Sequence, residues 1–470
     1  MITSSPRTLL FMKKTLLLLS DIAIFYGSLA LALAIRYSGD FSGQFELHST
    51  PFAFIFILWI LVFYISNLYE PSALRNTAQF YTNLFRAMGI AAIVSVAFFY
   101  LIPYLGITPK TNLFIFLIIF ALAETANRSF FNRVIEKRFH RRVAIVGINP
   151  QAIELARFLK DNPQIGYELR YLVDISPLPL GSAGNELQAF RIAQGAPAMQ
   201  QAIRQHEIDT VVISPEAYQM PEIIAIFYQS LEHKVQFYNL ASFSEKVTGK
   251  VPLGAINQIW FLENLNEGQK KIYEIVKRGM DIAGAVLLGI PTLLITPLIA
   301  AAVKLTSPGP VLYHQQRVGG GRKVFTIRKF RTMIANDPLG GAEGETGPVW
   351  TQENDPRIIS IGGFLRKTRI NELPQLWNVL KGEMSFVGPR AERPEFHEML
   401  KREIPFYEER YLIKPGLSGL SQLYFGYGAS VKDAEEKLRY DLYYIKNRSL
   451  ALDISILLKT IGIVLRARGR

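Results

Sequence analysis

The 470-residue chain contains no cysteine. That excludes a disulfide framework, thiolate chemistry and any Cys-based metal site. Acid is also in deficit: 52 Lys and Arg stand against 39 Asp and Glu, a formal charge of +13. Such an excess suits nucleic acid, anionic lipid or phosphorylated substrates. Apolar residues make up 49% of the chain and its mean hydropathy is positive, which favours a membrane protein over a nucleic-acid binder. No small-residue cleavage site clearly follows the apolar run after Lys13-Lys14. The run is therefore expected to be retained and not removed as a signal peptide.

Long apolar runs are what is present. Four occupy the first part of the chain, at 16–35, 52–68, 88–104 and 113–123. The first three are about the length a bilayer requires, while the fourth is shorter and stops at Glu124. Arg7, Lys13 and Lys14 precede the first run, and Arg75 and Arg86 lie between the second and third. Arg128, Arg133, Lys137, Arg138, Arg141 and Arg142 follow the fourth. The heavily basic ends fall on one side, expected to be the cytoplasm.

The stretch 143–176, VAIVGINPQAIELARFLKDNPQIGYELRYLVDIS, reads as strand, tight turn, helix, strand, with a further strand at 210–214. That is the opening of a doubly wound α/β domain. Its turn is a degraded GxGxxG: Asn149 and Ala152 stand where the second and third glycines would be, and Asp174 lies where a ribose-binding acid would. A structural or nucleotide-sensing role is favoured over tight dinucleotide binding.

A fifth apolar run, about 279–303, has Pro291 and Pro297 in its middle and basic residues on both flanks. Interior prolines bend a helix, and a span would put one basic cluster on the wrong side. A re-entrant helix satisfies both facts, with the Thr292 or Thr296 hydroxyls serving the backbone groups freed near the bend. The run 450–465 is expected either to lie on the bilayer surface or to be a core helix.

From Lys304 onward the cations recur in short clusters: KFRTM with Lys329 and Arg331, NDPR with Arg357 after the turn 347–351, RKTR with Arg366, and GPR with Arg390. Arg suits bidentate phosphate recognition and Lys supplies a compact charge, so these turns could converge on a diphosphate. Asn371 and Glu372 stand at the start of an expected helix, about 373–381, closed by Gly382. Capping accounts for the pair without catalysis. The same helix start could hold an anion, and a carboxylate there could attack phosphorus.

Within the segment 277–465 the motifs KRGMDIAGA, LTSPGPVLYHQQRVG, KFRTM, NDPRI, LRKTRINELPQLWNVLKGEMSFVGPR, KPGLSGLSQ and KLRYDLYYIKN occur in that order. This segment closely resembles the bacterial sugar transferases, the monotopic polyprenyl-phosphate phosphoglycosyl transferases. The whole chain resembles their long form, which initiates exopolysaccharide or O-antigen synthesis. The resemblance implies a membrane α-helical bundle (1–140), an α/β Rossmann-like domain (141–268) and an α/β-type monotopic catalytic domain with a re-entrant helix (269–470). It implies transfer of a sugar phosphate from a UDP-sugar to undecaprenyl phosphate at the bacterial inner membrane. An enzyme carboxylate would take the phosphosugar and release UMP, with magnesium neutralising the diphosphate. Anionic membrane lipid and a second copy of the chain are the expected partners, and nucleic acid is not one.

By the same resemblance, Lys329, Arg331, Arg366 and Arg390 match family basic positions. Arg357 and Gln422 join them as candidate substrate contacts, and Asn371 and Glu372 become the candidate catalytic and metal residues. The family nucleophile is an Asp, and here that position is Asn371. Three readings stay open: the substitution inactivates the chain, Glu372 takes over the attack, or this subgroup tolerates Asn by another route. Leu420 and Ala391 also depart from the family pattern. Two rivals remain. One is a membrane-bound nucleotide-sugar dehydratase, for which Tyr273 and Lys277 supply a YxxxK spacing. The other is a catalytically impaired scaffold that binds nucleotide sugar without turning it over.

Overall fold

The computed structural model describes residues 6–102, 110–138, 140–175, 187–205, 207–233, 235–265, 270–342, 355–425 and 430–465. Positions 103–104 of the third apolar run, Ser176 and the turn 347–351 lie outside the described residues. The chain divides into two compact units, Met1–Thr248 and Gly249–Arg470.

Four long apolar helices open the first unit: Pro6–Arg36, Phe41–Ile65, Ala78–Leu101 and Lys110–Arg138. Each is long and apolar enough to cross a membrane. They are held by packed aromatics, stacked, tilted and edge-on, with Phe25, Phe52, Phe56, Trp59, Phe116 and Phe120 all buried. The indole of Trp59 donates to Ser95 Oγ at 2.9 Å. The fourth helix runs past Glu124, where the sequence suggested an end. Arg128 is therefore not a loop cation. It lies buried in the bundle between Asp21 and Glu124, and donates to Leu68 O at 2.9 Å, while Tyr69 donates to Asp21. A charge inside an apolar bundle persists only when paired in this way, and the pairing is what lets the helix continue through Arg128.

The α/β part follows in the same unit. Five strands lie parallel in the order Ile192–Gln194, Tyr167–Asp174, Arg141–Val146, Thr210–Ile213, Gln236–Asn239. The central strands are runs of Val, Ile and Ala buried on both faces, as a covered parallel sheet requires. Asn149 caps the helix Pro150–Asp161 through Ala152 N at 2.8 Å, and its amide nitrogen lies 3.0 Å from a Glu216 carboxylate oxygen. A carboxylate at that helix start disfavours a pyrophosphate there.

The second unit is built on the 36-residue helix Lys271–Thr306. Arg278 donates to Val379 O and Leu380 O, and Asp281 accepts from Ser385 Oγ and Phe386 N. The Thr292 and Thr296 hydroxyls bond Leu288 O and Thr292 O. They do not bond Leu287 O and Leu293 O, the carbonyls left without donors by Pro291 and Pro297. An antiparallel hairpin, Leu312–Val318 with Val324–Phe330, lies against this helix. The short parallel pair Ser385–Val387 and Gly416–Ser418 joins the GPR and KPG motifs. The backbones there approach so closely that a Cβ on Gly388 would meet Lys414 O at 2.4 Å, which only glycine avoids.

Of the two expectations for the C-terminal run, the core helix holds for one face. Leu450–Leu465 buries Asp453, Ile456 and Lys459 and leaves Ile454 and Ile461 exposed. Asp453 accepts from Lys277 Nζ (2.8 Å), Tyr273 OH (2.9 Å) and Tyr444 OH (2.6 Å). The YxxxK pair is thus occupied in tying two helices together.

Candidate active site

Residues 370–381 are the centre of the site, and they fold differently from the single helix expected. Ile370–Gln375 is a 3-10 turn and only Leu376–Lys381 is α-helical, closed by Gly382 at φ +82°. Pro374 has no N–H to donate back to Ile370 in an α pattern, so the chain tightens, with Glu372 N donating to Arg369 O at 3.0 Å. Asn371 therefore caps nothing. It is half-buried, and its side chain makes no hydrogen bond among the described residues. Arg369 adopts φ +56°, a conformation costly for a residue with a Cβ.

Three cations converge on Glu372. Lys329 Nζ lies 3.0 Å and Arg390 Nη2 3.2 Å from Oε1, and Arg369 Nη1 lies 3.3 Å from Oε2. Burial alone would raise the Glu372 carboxyl. The charges of Lys329, Arg390 and Arg369 outweigh it and hold the group well below the usual carboxylate range. Burial pushes the Lys329 ammonium down to about 8, against the pull of Glu372. One carboxylate among three cations leaves the cluster with a net charge of +2, suited to an anion.

Arg390 is itself held in place. Gln422 satisfies both its amide atoms only with the oxygen toward Arg390 Nη1 (3.2 Å) and the nitrogen toward Leu417 O (3.3 Å). Arg410, buried, donates to Arg390 O at 3.0 Å and to Asp441 at 2.9 Å, and Ser421 donates to the other Asp441 oxygen. Gln422 thus stands as a support for Arg390.

Of the residues singled out in the sequence, Lys329, Glu372, Arg390 and Gln422 come together, with Asn371 next to Glu372 in the chain. Arg331 does not join them. It is buried and donates to Ser307 O, Ser307 Oγ and Pro310 O, bracing the turn after the long helix. Arg357 pairs with Asp355 at 2.6 Å. Arg366 is half-buried, with no side-chain hydrogen bond or ion pair among the described residues. Arg369 closes the basic RKTR cluster, and its place three residues before Glu372 is the sequence signal for this contact, a spacing that meets on a helical turn. Arg410 and Asp441 had no local signal: their partners lie 20 and 31 residues from Arg410.

A resident magnesium ion does not fit these side chains. Both Glu372 oxygens already face cations and Asn371 offers only a neutral amide. Among the described residues no group of three or more acid or imidazole side chains is placed to hold a metal.

The family model described as bacterial sugar transferase matches residues 272–467, the segment that carries the cluster. The UDP-N-acetylgalactosamine-undecaprenyl-phosphate N-acetylgalactosaminephosphotransferase of Aeromonas hydrophila is 42% identical over 50% of this chain, a match spanning 53% of that protein. The UDP-glucose:undecaprenyl-phosphate glucose-1-phosphate transferase of Klebsiella pneumoniae is 30% identical over 68% of this chain and 67% of its own length. The UDP-galactose-lipid carrier transferase of Erwinia amylovora is 29% identical over 71% of this chain and 70% of its own.

Proposed function

The chain belongs to the bacterial sugar transferase family, and on that premise we propose that it transfers a sugar phosphate from a UDP-sugar to a polyprenyl phosphate and releases UMP. The observation that carries this reading is the cation cluster on Glu372. Lys329, Arg369 and Arg390 bind and neutralise the diphosphate, and Gln422 and Arg410 keep Arg390 aimed at it. The four N-terminal helices cross the bacterial inner membrane with their basic ends in the cytoplasm, and the parallel-sheet part is a Rossmann-like domain.

The helix Lys271–Thr306 enters and leaves the bilayer on one side. Packing on either side of its exposed apolar stretch supports this. Ala285 belongs to one core with Phe325, Leu376 and Val379, and Val303 to another with Phe330, Ile359 and Leu365. Both cores are in the same unit. Leu287, Leu293, Leu294 and Leu298, which lie between those two residues, are 72–75% exposed. The acceptor phosphate then meets the nucleotide sugar at the membrane surface.

A covalent phosphosugar intermediate needs a nucleophile, and here a second reading has an observation of its own. Asn371 is uncharged, and Glu372 has both oxygens against cations. These facts favour a chain that binds UDP-sugar without turning it over. UMP release decides between the two, measured over a panel of UDP-sugars with polyprenyl phosphate and magnesium. The unsubstituted chain is compared with Asn371→Asp and Glu372→Gln. Release by the unsubstituted chain that is lost in Glu372→Gln makes it a transferase acting through Glu372. Release by Asn371→Asp alone makes it a binder. Release by neither overturns the transfer reading.

A further inference from the structure

We propose that the turn at Gly382 is a binding site for the phosphate of an anionic bilayer lipid, separate from the cluster on Glu372. This rests on the reading that 279–303 lies in the membrane. Two cations flank a backbone position that has no side chain. A Cβ on Gly382 would lie 3.4 Å from Lys414 Nζ and 3.5 Å from both Cζ and Nη2 of Arg278. A third cation, Lys381, precedes the glycine and is exposed, with its Nζ 5.8 Å from the centre of the Trp377 ring.

Arg278 is fixed by the carbonyls of Val379 and Leu380, both at 2.6 Å. Lys381 and Lys414 make no ion pair or side-chain hydrogen bond among the described residues. The neighbouring acid, Glu383, is engaged by Asn378 Nδ2 at 2.7 Å. Cations gathered without an ion pair among the described residues mark a place that can accept an anion.

The location selects a lipid as its source. Arg278 is the last cation before the apolar stretch, and Met280, Ile282, Val286 and Leu287 are exposed immediately beyond it. The turn at Gly382 therefore sits where the long helix leaves the charged body of the unit. Trp377, 49% exposed on the same short helix, adds an indole beside a lysine. That is the combination favoured at headgroup depth, where one end of each side chain is apolar and the other wet. A cationic pocket here would hold the domain against the anionic leaflet near the site.

The test uses the full-length chain in phosphatidylcholine nanodiscs carrying a minor fraction of a brominated lipid. The Trp377 signal is taken as the difference between the unsubstituted chain and Trp377→Phe, so the other tryptophans stay in place. Brominated phosphatidylglycerol is expected to quench this signal about fivefold more efficiently than brominated phosphatidylcholine, the factor one lysine supplies near an anionic surface. Lys381→Gln with Lys414→Gln should remove the preference and leave basal UDP binding unchanged. Equal quenching by the two lipids overturns the headgroup site while keeping this face in the bilayer. No quenching by either overturns the membrane reading beneath it. Loss of the preference on adding inorganic phosphate assigns the cations to a soluble anion and also overturns the proposal.

Discussion

Lys329→Met should separate stability from anion binding at the cluster. Lys329 Nζ is 3.0 Å from Glu372, with 14% of its side chain exposed, and burial pushes its ammonium down to about 8. In the unfolded chain a lysine titrates at roughly 10.4. A base whose pKa falls on folding opposes folding below its folded value, and the opposition fades as pH rises through the unfolded one. With those two values the opposition is about 3 kcal/mol at pH 7 and about 1 kcal/mol at pH 9.5. Methionine keeps an apolar stem of similar length and carries no charge. The stability of the variant relative to the unsubstituted chain should therefore fall by about 2 kcal/mol between pH 7 and pH 9.5. Over the same comparison UDP affinity should drop by about 10- to 100-fold at pH 7, the loss of one charge-assisted contact to phosphate. Hydrogen exchange of peptides covering Val324–Phe330, corrected for intrinsic rate, reads local stability in the second unit alone. A stability difference that is the same at both pH values, or that moves in the variant's favour as pH rises, refutes the reasoning.

Three further outcomes follow from the packing. Arg410→Met leaves Asp441 buried without its cation and should cost about 3–5 kcal/mol, read as a lowered thermal midpoint, while weakening UDP binding through Arg390. An unchanged midpoint would show that Asp441 finds another partner. A chelator should leave the thermal midpoint of the ligand-free chain where it is, because no described cluster holds a metal; a drop would reveal one. Single cysteines at Lys271 and Lys304, in a chain with none of its own, should react with an impermeant maleimide from the same side of the membrane. Labelling from opposite sides would make the long helix a span.

Periodicity and hydropathy made the large elements legible. The four apolar helices overlap the first four runs, although the fourth continues to Arg138, and the strand–helix–strand opening at 143–174 and the strand near 210 are where alternation puts them. Short-range chemistry was less legible. The 3-10 turn through Asn371 depends on a proline three residues further on, and the local signals there, an Asn before an acid, also describe a helix cap. Arg128 and Arg331 looked like solvated or substrate-facing charges because sequence does not reveal which cations acquire buried partners. The deciding partners lie far along the chain: Asp21 for Arg128, which also meets Glu124 on its own helix, and Ser307 and Pro310 for Arg331. The cluster was half legible. Lys329, Glu372 and Arg390 stood out as charged motif residues, whereas the supporting Arg410 and Asp441 come together only through tertiary contact.

The carboxylate of Asp453 joins the first long helix of the second unit to its last, and Tyr444, which donates to it, also reaches Val387 O at 3.3 Å, three residues before Arg390. The fold is thereby fastened head to tail. A chain shortened before residue 453 would lose more than a terminal helix: Lys277 would be left with a partly buried ammonium and without this acid, and the strand leading to Arg390 would lose its brace. For anyone trimming this protein to a minimal soluble piece, the final helix is a structural keystone and the last place to cut.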